Sequence, residues 1–342
     1  MNKKSKIISA VTAAAVATSA LAWSAFADEP VVYETKPGAL LGAATHFHIF
    51  AEEITLESHV HGNVATNMLN ADRDFGVRPN KLNGLSSINY IKDFSSNLNE
   101  QTLSTMLVVG SDVTENDNGN KVSLTSPSGG SGTFRHSDIG PVYNEDEDTP
   151  YIDIKEELKK LAELSEDIAA QENSDGISHN EASYWFLPQV NVSSNADGYL
   201  YYTLDLSNDQ KYNYFQYADL YINGLDFEEG DFLYLTIDVG NRTEVSFPKS
   251  WKVSYGDPSY DWWGNPYYPN YYSTGEEPLG SEGRIIYNIV SNGKPYEGKI
   301  ILGEQKSGSI LAPKADVEIT GNTNGTIIGK KVTCHGESHR WD

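Results

Sequence analysis

The chain has 342 residues, and 48 Asp and Glu against 25 Lys and Arg give it a formal net charge of −23. An exterior this acidic repels phosphate backbones, which argues against nucleic acid as a partner, and it suits a protein that works outside the cell. The single cysteine, Cys334, excludes an internal disulfide, so the chain must be held by a large core, a metal or partners. Cys334 itself is expected to be buried as a small apolar residue.

Residues 1–27 read as a targeting segment. Lys3, Lys4 and Lys6 precede an apolar run from Ile7 to Trp23, and Ala25-Phe26-Ala27 supplies the small residues of a cleavage signal. The expectation is a secretory signal peptide over 1–27, an extended leader over 28–38 and one folded domain over 39–342. No later stretch is apolar enough to span a bilayer.

Leu40 to Met68 alternates apolar and polar residues with the period of strands. Within ATHFHIFAEEITLESHVHGN lie four of the chain's eight histidines, as the pairs His46/His48 and His59/His61. Phe47, Ile49 and Val60 are the natural inward residues, which would turn both pairs outward. One reading makes them the polar side of buried strands. The other stacks the pairs on adjacent coils about 4.8 Å apart, so that four imidazoles converge on Zn or Cu.

Two short apolar runs follow, SSINYI and STMLVVGSDV, and then a polar stretch, ENDNGN to SPSGGSGTF, that reads as loop. Asp112, Glu115, Asp117, Asn118 and Asn120, with a bend at Gly119, loosely resemble a calcium loop but miss its ligand spacing. The acidic run EDED at 145–148 reads as a solvated loop rather than an acid/base pair.

The one strong helix signal covers about 152–172. Ile154, Leu158, Leu161, Leu164 and Ile168 recur at steps of three and four, Asp153 suits the N-cap and Gly176 a stop. Such a helix should lie flat on a sheet and bury its stripe. From Tyr184 onward YLYYTLDL, YADLYING, FLYLTIDVG, EVSFP and WKVSY read as strands. An aromatic loop at about 254–278 then carries Tyr260, Trp262, Trp263, Tyr267, Tyr268, Tyr271 and Tyr272. Tyr and Trp offer large contact areas with a polar handle, so these seven residues are the candidate binding surface; folding back over the core is the alternative.

Near the end, Gly308-Ser309-Ile310-Leu311 and Gly325-Thr326-Ile327-Ile328 repeat the same pattern 17 residues apart. Short strands between Gly and Asn turns at that period predict stacked coils of a β-solenoid.

Four segments in order carry a family resemblance: LLGAATHFHIFAEEITLESHVHGNVA, the helix ending LAELSEDIAAQENSDG, GRIIYNIV, and GSILAPKADVEITGNTNGTIIGKKVTCHGESHRWD. Together they resemble the choice-of-anchor A domain of bacterial surface and secreted proteins, over roughly Ala39 to Asp342. The resemblance implies a mainly β fold, a discontinuous right-handed β-helix related to ice-binding-like domains. It implies one long helix packed alongside, terminal segments sharing one core, and the Tyr-rich region inserted. It supplies no catalytic residues. Members usually carry a C-terminal anchor; here no LPxTG-type signal or apolar tail follows, so either release or a truncated sequence is expected.

No H-E-x-x-H, G-x-S-x-G or P-loop pattern occurs. The sequence therefore reads as a secreted, cell-surface associated structural or binding protein and not an enzyme. It would be adhesin-like, act at the cell wall or extracellular matrix, and engage a protein or glycan without a required cofactor. The alternatives are a polysaccharide-active enzyme, which would group carboxylates in a groove, and a metal-binding surface protein using His46, His48, His59 and His61, with Ca or Zn the candidate ions. A Thr-x-Thr ladder, which would favour ice binding, is not seen.

Overall fold

The computed structural model describes residues 39–76, 88–99, 106–137, 139–180, 189–193, 198–225, 232–247, 250–255, 259–260, 262, 266–267, 271–272, 285–303 and 308–340. These residues form a mainly β molecule built on a parallel β-helix, as expected.

One coil shows how the sequence makes the helix. In Ile49–Leu56, Ile49, Ala51, Ile54 and Leu56 enter the core while Glu53 is exposed. The inward alternation slips by one residue at Glu52-Glu53, and the chain turns a corner there. Val60–His61 supplies a third wall, and Val64–Ala71 begins the next coil in register, Ile49 beside Val64 and Leu56 beside Ala71. The strand Ser309–Ile319 turns the same corner at an irregularity between Ala312 and Asp316. The two glycine repeats are neighbouring coils: Ile310 lies beside Ile327 and Leu311 beside Ile328. Gly325 has φ +88°, and a Cβ there would sit 2.5 Å from the Gly308 carbonyl oxygen. Coils this close therefore require glycine at the turn.

Order along the stack is not chain order. The main sheet runs from Val142–Asn144 through Met106–Val109, Ile88–Phe94, Val64–Ala71 and Ile49–Leu56. It continues with Ile327–Cys334, Ser309–Ile319, Ile285–Ser291 and Phe232–Asp238 to Tyr199–Asp205. The chain thus starts in the middle, builds to one end, crosses to the other, and returns until its last long strand pairs with its first.

The crossing is made by helix α1, Ile154–Ala169, capped by Asp153, whose side chain accepts from the Glu156 N–H at 3.1 Å. Its 16 residues rise about 24 Å, which matches roughly five strand spacings of about 4.8 Å. Ile154, Leu158, Leu161 and Ile168 pack on the outward residues Phe50, Ala65, Tyr90, Val108, Ile286, Leu311 and Ile328. That wall is therefore apolar on both sides, and each buried aliphatic side chain contributes roughly 1.5–3 kcal/mol. One polar pair interrupts it. Ser165 Oγ donates to Asn288 Oδ1 at 2.5 Å, and Asn288 Nδ2 donates to the Ser165 carbonyl oxygen at 2.8 Å.

Three expectations need correction. Ala39–His46 is a 3₁₀ helix rather than strand, and Phe47 packs under α1 rather than in the solenoid interior. The stretch read as loop after Asp112 folds into strands Thr114–Asp117, Lys121–Thr125 and Ser131–Arg135, joined to Asn97–Asn99. Val122, Leu124 and Phe134 anchor that small sheet to the core; the alternation in KVSLT and GTFR was masked by the surrounding Gly and Ser. A short second helix, α2 over Asp209–Phe215, is capped by Asn208 and buries Tyr212 and Phe215.

Removing the amide of Asn288 leaves the Ser165 hydroxyl buried without its acceptor. Asn288→Ala should cost about 2–3 kcal/mol in denaturant unfolding. A change under about 0.5 kcal/mol would show that this pair does not hold the helix.

Candidate functional site

The seam where first and last coils meet is the most polar part of the interior. His48, Asn63, Ser338 and Arg340 are all buried there. His48 Nδ1 lies 2.7 Å from the Gly325 carbonyl oxygen, so it carries the proton, and Nε2 accepts from Ser338 Oγ at 3.0 Å. Asn63 Oδ1 accepts from Arg340 at 2.8 Å, and its Nδ2 donates to the carbonyls of His46 and Ile88. Burial pushes the His48 imidazole down to about 3; the Gly325 hydrogen bond opposes this, and the charges of His339, Arg340 and His61 add to it.

Beside this buried layer, His61 and His339 are register partners on adjacent parallel strands, their rings stacked at 5.2 Å and 19°. Both Nε2 atoms face Glu337 Oε1, at 2.8 Å from His61 and 3.6 Å from His339. Burial works to raise the Glu337 carboxyl, but the hydrogen bond from His61 and the charge of His339 prevail and hold it below the usual carboxylate range. His339 Nδ1 lies 3.2 Å from Asn324 Oδ1. Thr323 Oγ1 and Asn324 Nδ2, both buried in the strand on the other side of Ser338–His339, have no partner.

The structure does not gather the four N-terminal histidines. His48 points inward, not outward, because the strand begins only at Ile49 and the imidazole fills the polar corner. His59 is exposed and sits 3.7 Å from Asp74, and His46 ends the 3₁₀ helix. Only His61 enters a group of three possible ligands, and its companions come from the far end of the chain. His335 pairs with Glu57 and Glu318 on the outer surface.

Of the seven aromatic residues, Trp262 is 94% exposed. Tyr260, Tyr267, Tyr271 and Tyr272 lie in short strands, Ser259–Tyr260 pairing with Pro266–Tyr267 and Tyr271–Tyr272 with Trp251–Tyr255. Trp263 and Tyr268 fall outside the described residues. Other exposed rings are Tyr143, Tyr199 and Tyr217.

A groove at the start of α1 is lined by Glu52, Glu53, Asp93, Asp112 and Asp153 together with Lys92 and Lys155. Burial tends to raise the Asp93 carboxyl, but hydrogen bonds from Ser126 and Ser128 outweigh it and hold it below the usual range. Asp93 is thus a fixed anion rather than a general acid. Glu145, read as solvated, is buried: its Oε2 accepts from Tyr90 at 2.6 Å and from the Tyr151 N–H at 3.0 Å. In the calcium-like segment, Asp117 and Asn118 oxygens accept the turn N–H groups of Gly119, Asn120 and Lys121 instead of facing one centre.

The fold and the seam define a discontinuous parallel β-helix with a helix covering one wall. Residues 40–340 match the ice-binding-like adhesive domain, and the chain belongs to that family. Similar solved structures include an ice-binding protein with antifreeze activity from an Arctic yeast, 13% identical, covering 87% of this chain and 92% of that one with a TM-score of 0.34. They also include the DUF3494 domain of a Shewanella frigidimarina ice-binding protein, 14% identical, covering 88% and 96%, with a TM-score of 0.36. No curated protein matches the chain.

The buried His48 gives a pH signature. Unfolded, it takes up a proton near 6.5; folded, only near 3. The unfolded state therefore binds more protons between these values, and stability falls as pH drops from 6.5 toward 3 and is unaffected above. His48 alone should remove about 2 kcal/mol between pH 7 and pH 5. Denaturant unfolding of His48→Gln should show a loss smaller by that amount over the interval; equal losses in both proteins would contradict the assignment.

Proposed function

We propose that this chain is a secreted, cell-surface associated adhesive module of the choice-of-anchor A type, engaging an extracellular protein or glycan through the aromatic segment around Trp262. The carrying observation is the exposure of the Trp262 ring, 94% free of the protein, in a chain of an adhesive-domain family. An indole held out from a β-rich scaffold offers flat apolar area that stacks on sugar faces or fills a pocket in a partner.

Ice binding, the activity named for the similar structures, fits the uncovered wall less well. Its outward residues form two rows across the coils. One row reads Glu244, Lys299, Asp316, Lys331, Glu53; the other reads Ser246, Ile301, Glu318, Thr333, Thr55. Lys331 pairs with Glu53 at 2.7 Å, and Lys299 pairs with Glu318. A wall of alternating charges holds water tightly, and its threonines are only two in line.

Catalysis has weaker support. The acidic groove is present, but Asp93 is held as an anion and none of its carboxylates belongs to a three-ligand group among the described residues.

A glycan array and a pull-down from matrix extracts test the proposal. The double variant Trp262→Ala/Trp263→Ala should lose at least tenfold in binding while keeping its thermal midpoint. Binding unchanged in that variant would remove the aromatic segment from the function.

A further inference from the structure

The closing seam holds a set of groups that the adhesive reading does not use. His61, Glu337 and His339 offer three ligand atoms within 4.8 Å of one another. A tetrahedral ion with bonds of about 2.0–2.2 Å needs its ligands roughly 3.4 Å apart. The Glu337 oxygen already stands 2.8 Å from one imidazole nitrogen and 3.6 Å from the other, so small rotations suffice.

The protonation pattern points the same way. Asn324 Oδ1 can only accept, so the His339 Nδ1 at 3.2 Å must donate to it. Nε2 is then the ring nitrogen turned toward the carboxylate of Glu337, where the two groups can share a proton or a cation. An outer hydrogen bond that fixes the tautomer of a ligating imidazole is the usual support of a metal site. Two buried polar atoms on the neighbouring strand, Thr323 Oγ1 and Asn324 Nδ2, lack partners, which marks this corner as under-satisfied. Access is open, since the side chains of His61 and Glu337 are 28% and 37% exposed. The net charge of −23 also draws cations to the surface.

We infer that His61, Glu337 and His339 bind one divalent transition-metal ion, with Zn²⁺ the best match to two imidazoles and one carboxylate, and that the ion clamps the last coil onto the first. Its ligands come from strands Val60–His61 and Ser338–His339 and the residue before the latter, 276 positions apart in the chain. Binding them together closes the solenoid where the chain ends meet. An ion that binds only the closed form stabilises it by mass action.

The test uses the full chain, purified without an affinity tag and treated with chelator, then titrated calorimetrically with Zn²⁺ and spectroscopically with Co²⁺. The expected result is one Zn²⁺ per chain, a visible Co²⁺ band of a four-coordinate site, and a raised thermal midpoint with Zn²⁺. His61→Ala and Glu337→Gln, both at partly exposed positions, should each weaken Zn²⁺ binding at least tenfold and abolish the thermal shift while folding normally. His335→Ala and His59→Ala, which remove other histidines lying near carboxylates, should leave both unchanged. Absence of stoichiometric binding, binding retained in both seam variants, or equal loss in the His335 and His59 controls would overturn the inference.

Discussion

The parallel pairing of Ile49–Leu56 with Ile327–Cys334 is the contact on which the rest depends. A β-helix gains stability only as each coil covers the apolar interior of the next. Here the coils on either side of that pairing come from opposite ends of the chain. Until residues near 330 arrive, the N-terminal half presents an uncovered edge with Ile49, Ile54 and Leu56 facing water. Closure therefore couples the two halves into one cooperative unit and sets a high contact order, the property that slows folding most. It also explains why the polar residues of the interior gather at this place. His48 bonds to Gly325 and Ser338, and Asn63 to Arg340, so each hydrogen bond is also a check that the correct first and last coils have met.

Helix α1 follows from the same topology. A chain that starts in the middle of the stack must travel its length once, and a helix is the most compact connection that satisfies its own backbone. Once it lies on the wall, the outward positions beneath it must be apolar. That is why Phe50, Ala65, Ile286, Leu311 and Ile328 occupy sites that in an uncovered coil would be polar. The Asn288–Ser165 pair adds direction, since its two hydrogen bonds are satisfied in only one rotation and one translation of the helix.

Much of this was legible in the sequence. The 17-residue glycine repeat is the length of one coil, Ile310 to Ile327, and the 3.6-period stripe is α1, because both signals come from periodic burial. The seam was less legible. His48 was read as outward by extending strand alternation back from Ile49 into a segment that is not strand. The partnership of His61 with Glu337 and His339 has no local signature at all, since it is created by closure. The small sheet after Asp112 was hidden because its apolar residues are few and its turns rich in Gly, Ser and Asn. Two of the segments that carried the resemblance, LAELSEDIAAQENSDG and GRIIYNIV, meet through Ser165 and Asn288.

The division of labour between walls limits where function can sit. Inward positions are committed to the core, and one set of outward positions lies beneath α1. On the uncovered wall one outward row alternates in charge, and Lys331–Glu53 and Lys299–Glu318 pair across coils. Among the described residues, what remains includes the exposed Trp262 ring, the acidic groove at the start of α1 and the seam with its histidines. These differ in kind. The Trp262 ring is almost fully exposed, so its replacement leaves the coils undisturbed. The seam is part of the scaffold, so any ligand it takes acts first on the stability of the fold and only through that on adhesion.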